Sequence, residues 1–213
     1  DQKFIELLTQ RGQASLLYIP CAIGEEDHSE GLQRIRQVFS SIEFEHIEMC
    51  SELSQLDWNH LKHFGGIYID GGNTFKLMSN IRNTHCYELF HRFLHHGGII
   101  NGDSAGAIVL GSHLETAHFG VVHDDNESDV ISYQGLNFIG PWCIHCHYNS
   151  SEDDEILEFS NTYGYPVLAL AENTSILINE HKIEVIGEGQ LCAFKKDAKL
   201  AIKPGGLMNL YPL

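Results

Sequence analysis

The sequence predicts an α/β protein built on a single doubly wound, mostly parallel sheet with helices on both faces. Three observations carry this expectation. Short apolar runs alternate with stretches of helical spacing through the first half of the chain. The connections between them are short, which is the pattern of βαβ units feeding a parallel sheet. One apolar strand passes into a helix through Gly102-Asp103-Ser104-Ala105-Gly106, where two glycines flank a serine at a sharp turn.

Taken in order, the chain opens on helical spacing, Phe4 to Leu8. A doubly wound domain usually opens on a strand, so either this fold begins on a helix or a leading strand is missing from the sequence. Ala14 to Ile19, bounded by Gly12 and Pro20, reads as a buried strand. Ser29 to Phe39 places Leu32, Ile35, Val38 and Phe39 at helical spacing. Ile42 to Met49 reads as a second strand, Glu52 to His63 as a helix, and Gly66 to Asp70 as a third strand. Helices follow after Asn73 and from Thr84 to His96. Gly98 to Asn101 is a strand, and Ser104 to about Leu110 a helix. Residues 111 to 135 are polar and rich in His and Asp, fitting an extended loop or a short antiparallel excursion. Trp142 to His147 reads as a strand and Ser151 to Asn161 as a helix whose first turn is acidic, favourable against the helix dipole. Val167 to Ala171, Ser175 to Asn179, Lys182 to Ile186 and Leu191 to Phe194 read as successive strands, with a hairpin turn at Asn179-Glu180-His181. No internal repeat, linker or second domain is visible, so residues 1–213 are expected to form one domain.

The bulk composition fits such a domain. The 213 residues are 43% hydrophobic, enough for a buried core. No apolar run approaches the ~20 residues a membrane span needs. Asp1-Gln2-Lys3-Phe4-Ile5-Glu6 is not a basic region followed by an apolar stretch, so a cytoplasmic location is expected. Six cysteines lie mostly in apolar runs and read as free buried thiols. A net charge of −16 repels nucleic acid and anionic membranes, so neither is expected as a partner.

Ser104 is the candidate nucleophile. A serine on a tight strand-to-helix turn projects its hydroxyl from the sheet edge, and the following helix aims its first amides at the reacting oxygen. The plain alternative is a small-residue turn packing a helix closely on a sheet. Gly71-Gly72-Asn73 ends the preceding strand at the same edge, so these amides are candidates for a second oxyanion donor beside Ala105. The plain alternative is a strand-to-helix turn with Asn73 as N-cap. Lys76 and Arg82 follow that turn and could bind a carboxylate, though solvation at the surface is the simpler role.

A hydroxyl needs a base. Among 14 histidines, His147 ends an apolar strand and precedes the polar Tyr148-Asn149-Ser150. His145 lies two residues earlier on the same strand face. His95 and His96 read as helix C-terminal residues, while His113, His118 and His123 stay open. Glu172, after the strand Val167 to Ala171, is the best-placed carboxylate to orient an imidazole; Asp129 and Asp125 are weaker candidates. Cys143, His145, Cys146 and His147 are a dense run of metal-ligand types. No distant matching pair accompanies them, so no metal is expected.

These segments resemble the dipeptidase E and cyanophycinase family of serine peptidases. The resemblance rests on Ile69-Asp70-Gly71-Gly72-Asn73-Thr74-Phe75 and on Gly102-Asp103-Ser104-Ala105-Gly106-Ala107. It continues through Gly135-Leu136-Asn137-Phe138 leading to Ile144-His145-Cys146-His147-Tyr148, and Leu170-Ala171-Glu172-Asn173-Thr174. It implies Ser104 as nucleophile, His147 as base and Glu172 as orienting carboxylate. It also implies an oxyanion hole from the amides of Gly72 and Ala105, with Asn73 as a substrate contact. The fold it implies is related to class I glutamine amidotransferases, which carry a cysteine at the elbow; a serine at 104 disfavours amidotransfer. The sequence departs from the family twice. His145-Cys146 replaces the usual Asn-Pro before the histidine, and the family's glycine-ended opening strand is not seen. The expected activity is hydrolysis of short peptides through an acyl-enzyme, with no cofactor. The expected partners are a small peptide substrate and, as an open question, a second copy of the chain. A small-molecule serine esterase and a non-catalytic binding protein on the same fold are the alternative readings.

Overall fold

The computed structural model describes residues 1–40 and 46–211. The chain divides into two compact units. One comprises Asp1–Gly106 with Asn126–Val130, the other Ala107–Asp125 with the chain from Ile131 onward.

In the first unit the order is α1 (Gln2–Gln10), β1 (Ser15–Ile19), α2 (His28–Val38), β2 (His46–Met49), α3 (Trp58–Leu61), β3 (Gly66–Ile69), α4 (Thr74–Arg82), α5 (Cys86–His95) and β4 (Ile99–Gly102). α6 (Ala105–Leu110) starts here and runs into the second unit. The sheet has the order β2-β1-β3-β4 and every pairing is parallel. β3 is buried along its whole length, and β1 at all but its first residue, as expected for central strands covered by helices. Phe4, Ile5 and Leu8 of α1 and Ile35 and Phe39 at the end of α2 pack with Leu16, Tyr18 and Tyr68 of the sheet. Each fully buried side chain of this size stabilises by about 1.5–3 kcal/mol. The opening helix therefore has its own role: it covers part of the sheet.

One expectation changes in this unit. The helix expected over Glu52–His63 is a 3-10 turn, Leu53–Gln55, followed by the short α3. Asp57 interrupts it: with extended backbone, its side chain accepts the His60 amide and caps a new helix. Aspartate's preference for capping wins over the helical spacing of the apolar residues. The second strand is described as His46–Met49; its expected first residues, Ile42 to Glu45, lie outside the described residues.

The second unit continues α6 and then runs through a 3-10 turn (Glu115–His118), β5 (Cys143–His145), a 3-10 turn (Ser150–Glu152), α7 (Asp153–Tyr163), β6 (Val167–Leu170), β7 (Thr174–Asn179), β8 (Lys182–Gly187), β9 (Leu191–Lys195), β10 (Ala198–Ile202) and β11 (Leu207–Asn209). Among the described residues the strands of the chain form three hydrogen-bonded sheets in place of the single one expected. The second unit holds two of them, in the orders β10-β9-β6-β5 and β11-β8-β7. Only β5 and β6 pair in parallel there. The physical reason is connection length. Glu180-His181 joins β7 to β8, and Lys196-Asp197 joins β9 to β10, with Glu180 and Lys196 at left-handed φ. Two-residue loops can join only antiparallel neighbours. Strands β10 and β11 are absent from the sequence reading because most of their residues are exposed and show no apolar alternation. Residues 111–135 do make an antiparallel excursion, bridged at His113 and Gln134. The core gathers Phe119, Cys143, Tyr148, Ile156, Phe159, Val167, Cys192 and Phe194. Among the described residues no helix is long and apolar enough to cross a membrane.

Candidate active site

The serine corner is made by backbone packing in the first unit. β4 ends at Gly102, α6 begins at Ala105, and Ser104 between them has φ +46°. A non-glycine residue in that conformation costs roughly 1–3 kcal/mol and persists only where its surroundings enforce it. Here they do. The Asp103 amide donates to the Ile69 carbonyl at 3.0 Å, and the Gly106 amide to the Asp103 carbonyl at 2.8 Å. A Cβ on Gly106 would stand 2.3 Å from the Ile69 carbonyl oxygen, so only glycine lets the corner close against β3. Ala105 is the first residue of α6, where an amide precedes the helix's own hydrogen-bonded ladder.

The glycine turn after β3 stands beside this corner: a Cβ on Gly71 would lie 3.2 Å from Ser104 Cβ. Asp70 Oδ1 takes the Gly71 amide at 3.0 Å, and the Ala22 carbonyl takes the Asn73 amide at 2.9 Å. Gly72, between them, has φ +131° and lies too close to the Ala22 carbonyl for a side chain. Asn73 caps α4 by accepting the Lys76 amide at 2.9 Å, and Lys76 Nζ donates to the Ile23 carbonyl at 2.6 Å. Asp70 itself is buried. It accepts from Tyr18 Oη and pairs with Arg34 at 2.5 Å. Burial, and then the bond to Asp70, push the Tyr18 hydroxyl well above its ordinary range. In the sequence Asp70 shows only as part of the Ile69–Phe75 motif; its anchoring role depends on Tyr18 and Arg34 from distant positions.

The histidine corner lies in the second unit. β5 stops at His145, two residues short of the expected strand end, and the chain turns so that His147 has φ +59°. The two histidines therefore do not share a strand face. His147 Nδ1 lies 2.6 Å from Glu172 Oε1, just beyond the end of β6. The carboxylate accepts from Nδ1–H, which leaves Nε2 the basic nitrogen. The imidazole is one-third exposed and the carboxylate 74% exposed. His145 is buried and held at both ring nitrogens, Nδ1 at 3.1 Å from the Thr116 carbonyl and Nε2 at 2.8 Å from Glu152 Oε2.

His95 ends α5 and His96 is its C-cap. His113 packs among Tyr133, Phe159 and Tyr165, where burial lowers its pKa, and His118 lies 3.1 Å from the Tyr133 hydroxyl. Asp129, at φ +50°, belongs to the first unit; Asp125 belongs to the second. Cys143 lies against Ser112, and burial pushes its thiol up to about 11. None of the six cysteines, all among the described residues, is joined in a disulfide. Among the described residues no three His, Cys, Asp or Glu side chains are gathered as a metal ion would need. Ser104, Gly72 and Ala105 thus belong to the first unit, and the His147–Glu172 pair to the second.

A parallel sheet whose strand turns into a helix through a left-handed, glycine-flanked serine is the corner on which serine hydrolases carry their nucleophile. The chain belongs to peptidase family S51, whose family model matches residues 1–186. It is 27% identical to a "Peptidase E" of Nostoc sp. over 193 residues, covering 84% of this chain and 75% of that protein. It is 23% identical to a Drosophila melanogaster protein named "Probable alpha-aspartyl dipeptidase", covering 98% of this chain and 84% of the relative. The crystal structure of a peptidase from an acI-B1 actinobacterium shares the fold, with a TM-score of 0.75 at 19% identity over 98% of this chain and 88% of that one.

Proposed function

We propose that the protein is a dipeptidase-like serine peptidase that hydrolyses short peptides, with an N-terminal aspartyl residue as the preferred acyl side. The observation that carries the reading is the left-handed Ser104 in the Gly102–Gly106 turn. The aspartyl preference is supported by the name of the Drosophila relative. Ser104 Oγ attacks the scissile carbonyl carbon while His147 Nε2 takes the hydroxyl proton. Glu172 keeps the other ring nitrogen protonated and steadies the imidazolium. The amides of Gly72 and Ala105 receive the oxyanion, each worth about 3 kcal/mol in the transition state. Asn73, beside them, contacts the substrate. Collapse breaks the C–N bond, and His147 returns the proton to the leaving amine. Water, activated by the same imidazole, then releases the acyl group and restores Ser104. A cytoplasmic location belongs to the same reading.

The test is turnover of an α-aspartyl dipeptide panel beside p-nitrophenyl esters, for the parent protein and Ser104→Ala. The expected result is peptide hydrolysis that falls by about 10⁴-fold or more in the variant. Unchanged peptide turnover in Ser104→Ala ends the proposal, and hydrolysis confined to esters replaces it with an esterase.

A further inference from the structure

We infer that the buried His145–Glu152 pair is a positioning device for His147, fixing by side-chain hydrogen bonds the turn that presents the imidazole. The inference rests on the reading of His147 as the base.

His145 ends β5 and Glu152 ends the 3-10 turn before α7, so the pair brackets the segment that carries His147. Both are buried, in a chain whose acidic residues are mostly at the surface. A carbonyl oxygen can only accept, so the Thr116 contact fixes the proton of His145 on Nδ1. Nε2 then faces Glu152 Oε2 at 2.8 Å, a hydrogen-bond distance between two buried side chains. The same Glu152 oxygen accepts the Asn149 amide at 3.1 Å, and Asn149 Oδ1 takes the Ser151 amide at 3.1 Å, forming a capping box. A single carboxylate oxygen therefore ties the start of the turn to its end.

Between these ties stands His147 at φ +59°, a conformation that a β-carbon resists and that needs outside enforcement. Cys146, where the resembling family has proline, fixes no φ of its own. The neighbouring contacts hold Tyr148: its amide donates to the Leu170 carbonyl at 3.0 Å and its hydroxyl to Asp153 at 2.6 Å. They anchor the far side of the turn, and the His145–Glu152 contact ties its near side.

The test uses labelling of Ser104 by a fluorophosphonate, which needs the base but no knowledge of the substrate. In Glu152→Gln, the saturating labelling rate should fall by about tenfold or more while the half-saturating probe concentration changes by less than about threefold. His145→Gln keeps a donor toward Glu152 and should fall less. Circular dichroism establishes that each variant is folded. Labelling at the parent rate in both variants, with His147→Ala abolishing it, overturns this inference alone. Labelling that survives His147→Ala overturns the reading of His147 as well. Loss of folding in both single variants also overturns the inference, because the pair would then hold the unit and not the imidazole.

Discussion

Ser104 and His147 share a backbone conformation, φ +46° and +59°, and the chain enforces it by different means. Around Ser104 the work is done by backbone: parallel strands in register at Ile69 and Gly102, amides donating to carbonyls, and a glycine pressed on the Ile69 carbonyl. Around His147 it is done by side chains: the His145–Glu152 contact, the Asn149 capping box and the Glu172 carboxylate. A corner built of backbone tolerates change only where no atom is added. A corner built of side chains can lose its parts one at a time, by degrees.

The largest expected effect is at the first corner. Gly106→Ala places a carbon where neither the Ile69 carbonyl nor the helix can yield, and should destabilise by about 3 kcal/mol. Thermal melting should then fall by roughly 6–12 °C; an unchanged melting temperature would break the comparison. At the second corner, Glu172→Gln should leave stability alone and lower kcat/KM by about 10–100-fold. The loss stays below that of a buried triad carboxylate because this one is largely solvated, which screens the pair. A steady-state comparison over matched enzyme concentrations reads it.

The smallest effect concerns acid. Burial raises the pKa of Asp153, but hydrogen bonds from Lys199 and Tyr148 outweigh it and leave it below the ordinary value. A depressed carboxylate contributes stability that is complete above its unfolded pKa of about 4 and lost as pH falls through the folded value. Asp153→Asn should therefore cost at most about 1 kcal/mol near neutrality, and that cost should shrink below pH ~4 in urea titrations. A difference that grows on acidification contradicts the assignment.

The same contrast explains what the sequence made legible. The first corner depends on short-range chemistry: apolar strands, glycines at fixed offsets and an Asn cap all lie within a few residues of one another. Its strands and helices accordingly match expectation, apart from the break at Asp57. The second corner depends on partners far along the chain. Thr116 reaches His145 across 29 positions, and Glu172 reaches His147 across 25. Glu152 stands in the acidic first turn that suits a helix dipole, and Asn149-Ser150-Ser151-Glu152 also has capping-box spacing, a local pattern that exposes one half of its role. The Asp70–Tyr18–Arg34 group, two buried side chains paired with a half-exposed arginine, offered no such pattern. The antiparallel strands β10 and β11 were hidden because their exposed faces carry no periodic apolar signature.

The account stands on the two corners serving one reaction, and kinetic coupling between them measures this most directly. The rates of peptide hydrolysis by Ser104→Ala, His147→Ala and the double variant should be compared with the parent. Groups that act as a unit are grossly non-additive. The account predicts that each single change removes nearly all of the acceleration, and that the double variant is no slower than the slower single one. Losses that multiply in the double variant would mean that the serine and the imidazole work independently, and would contradict it.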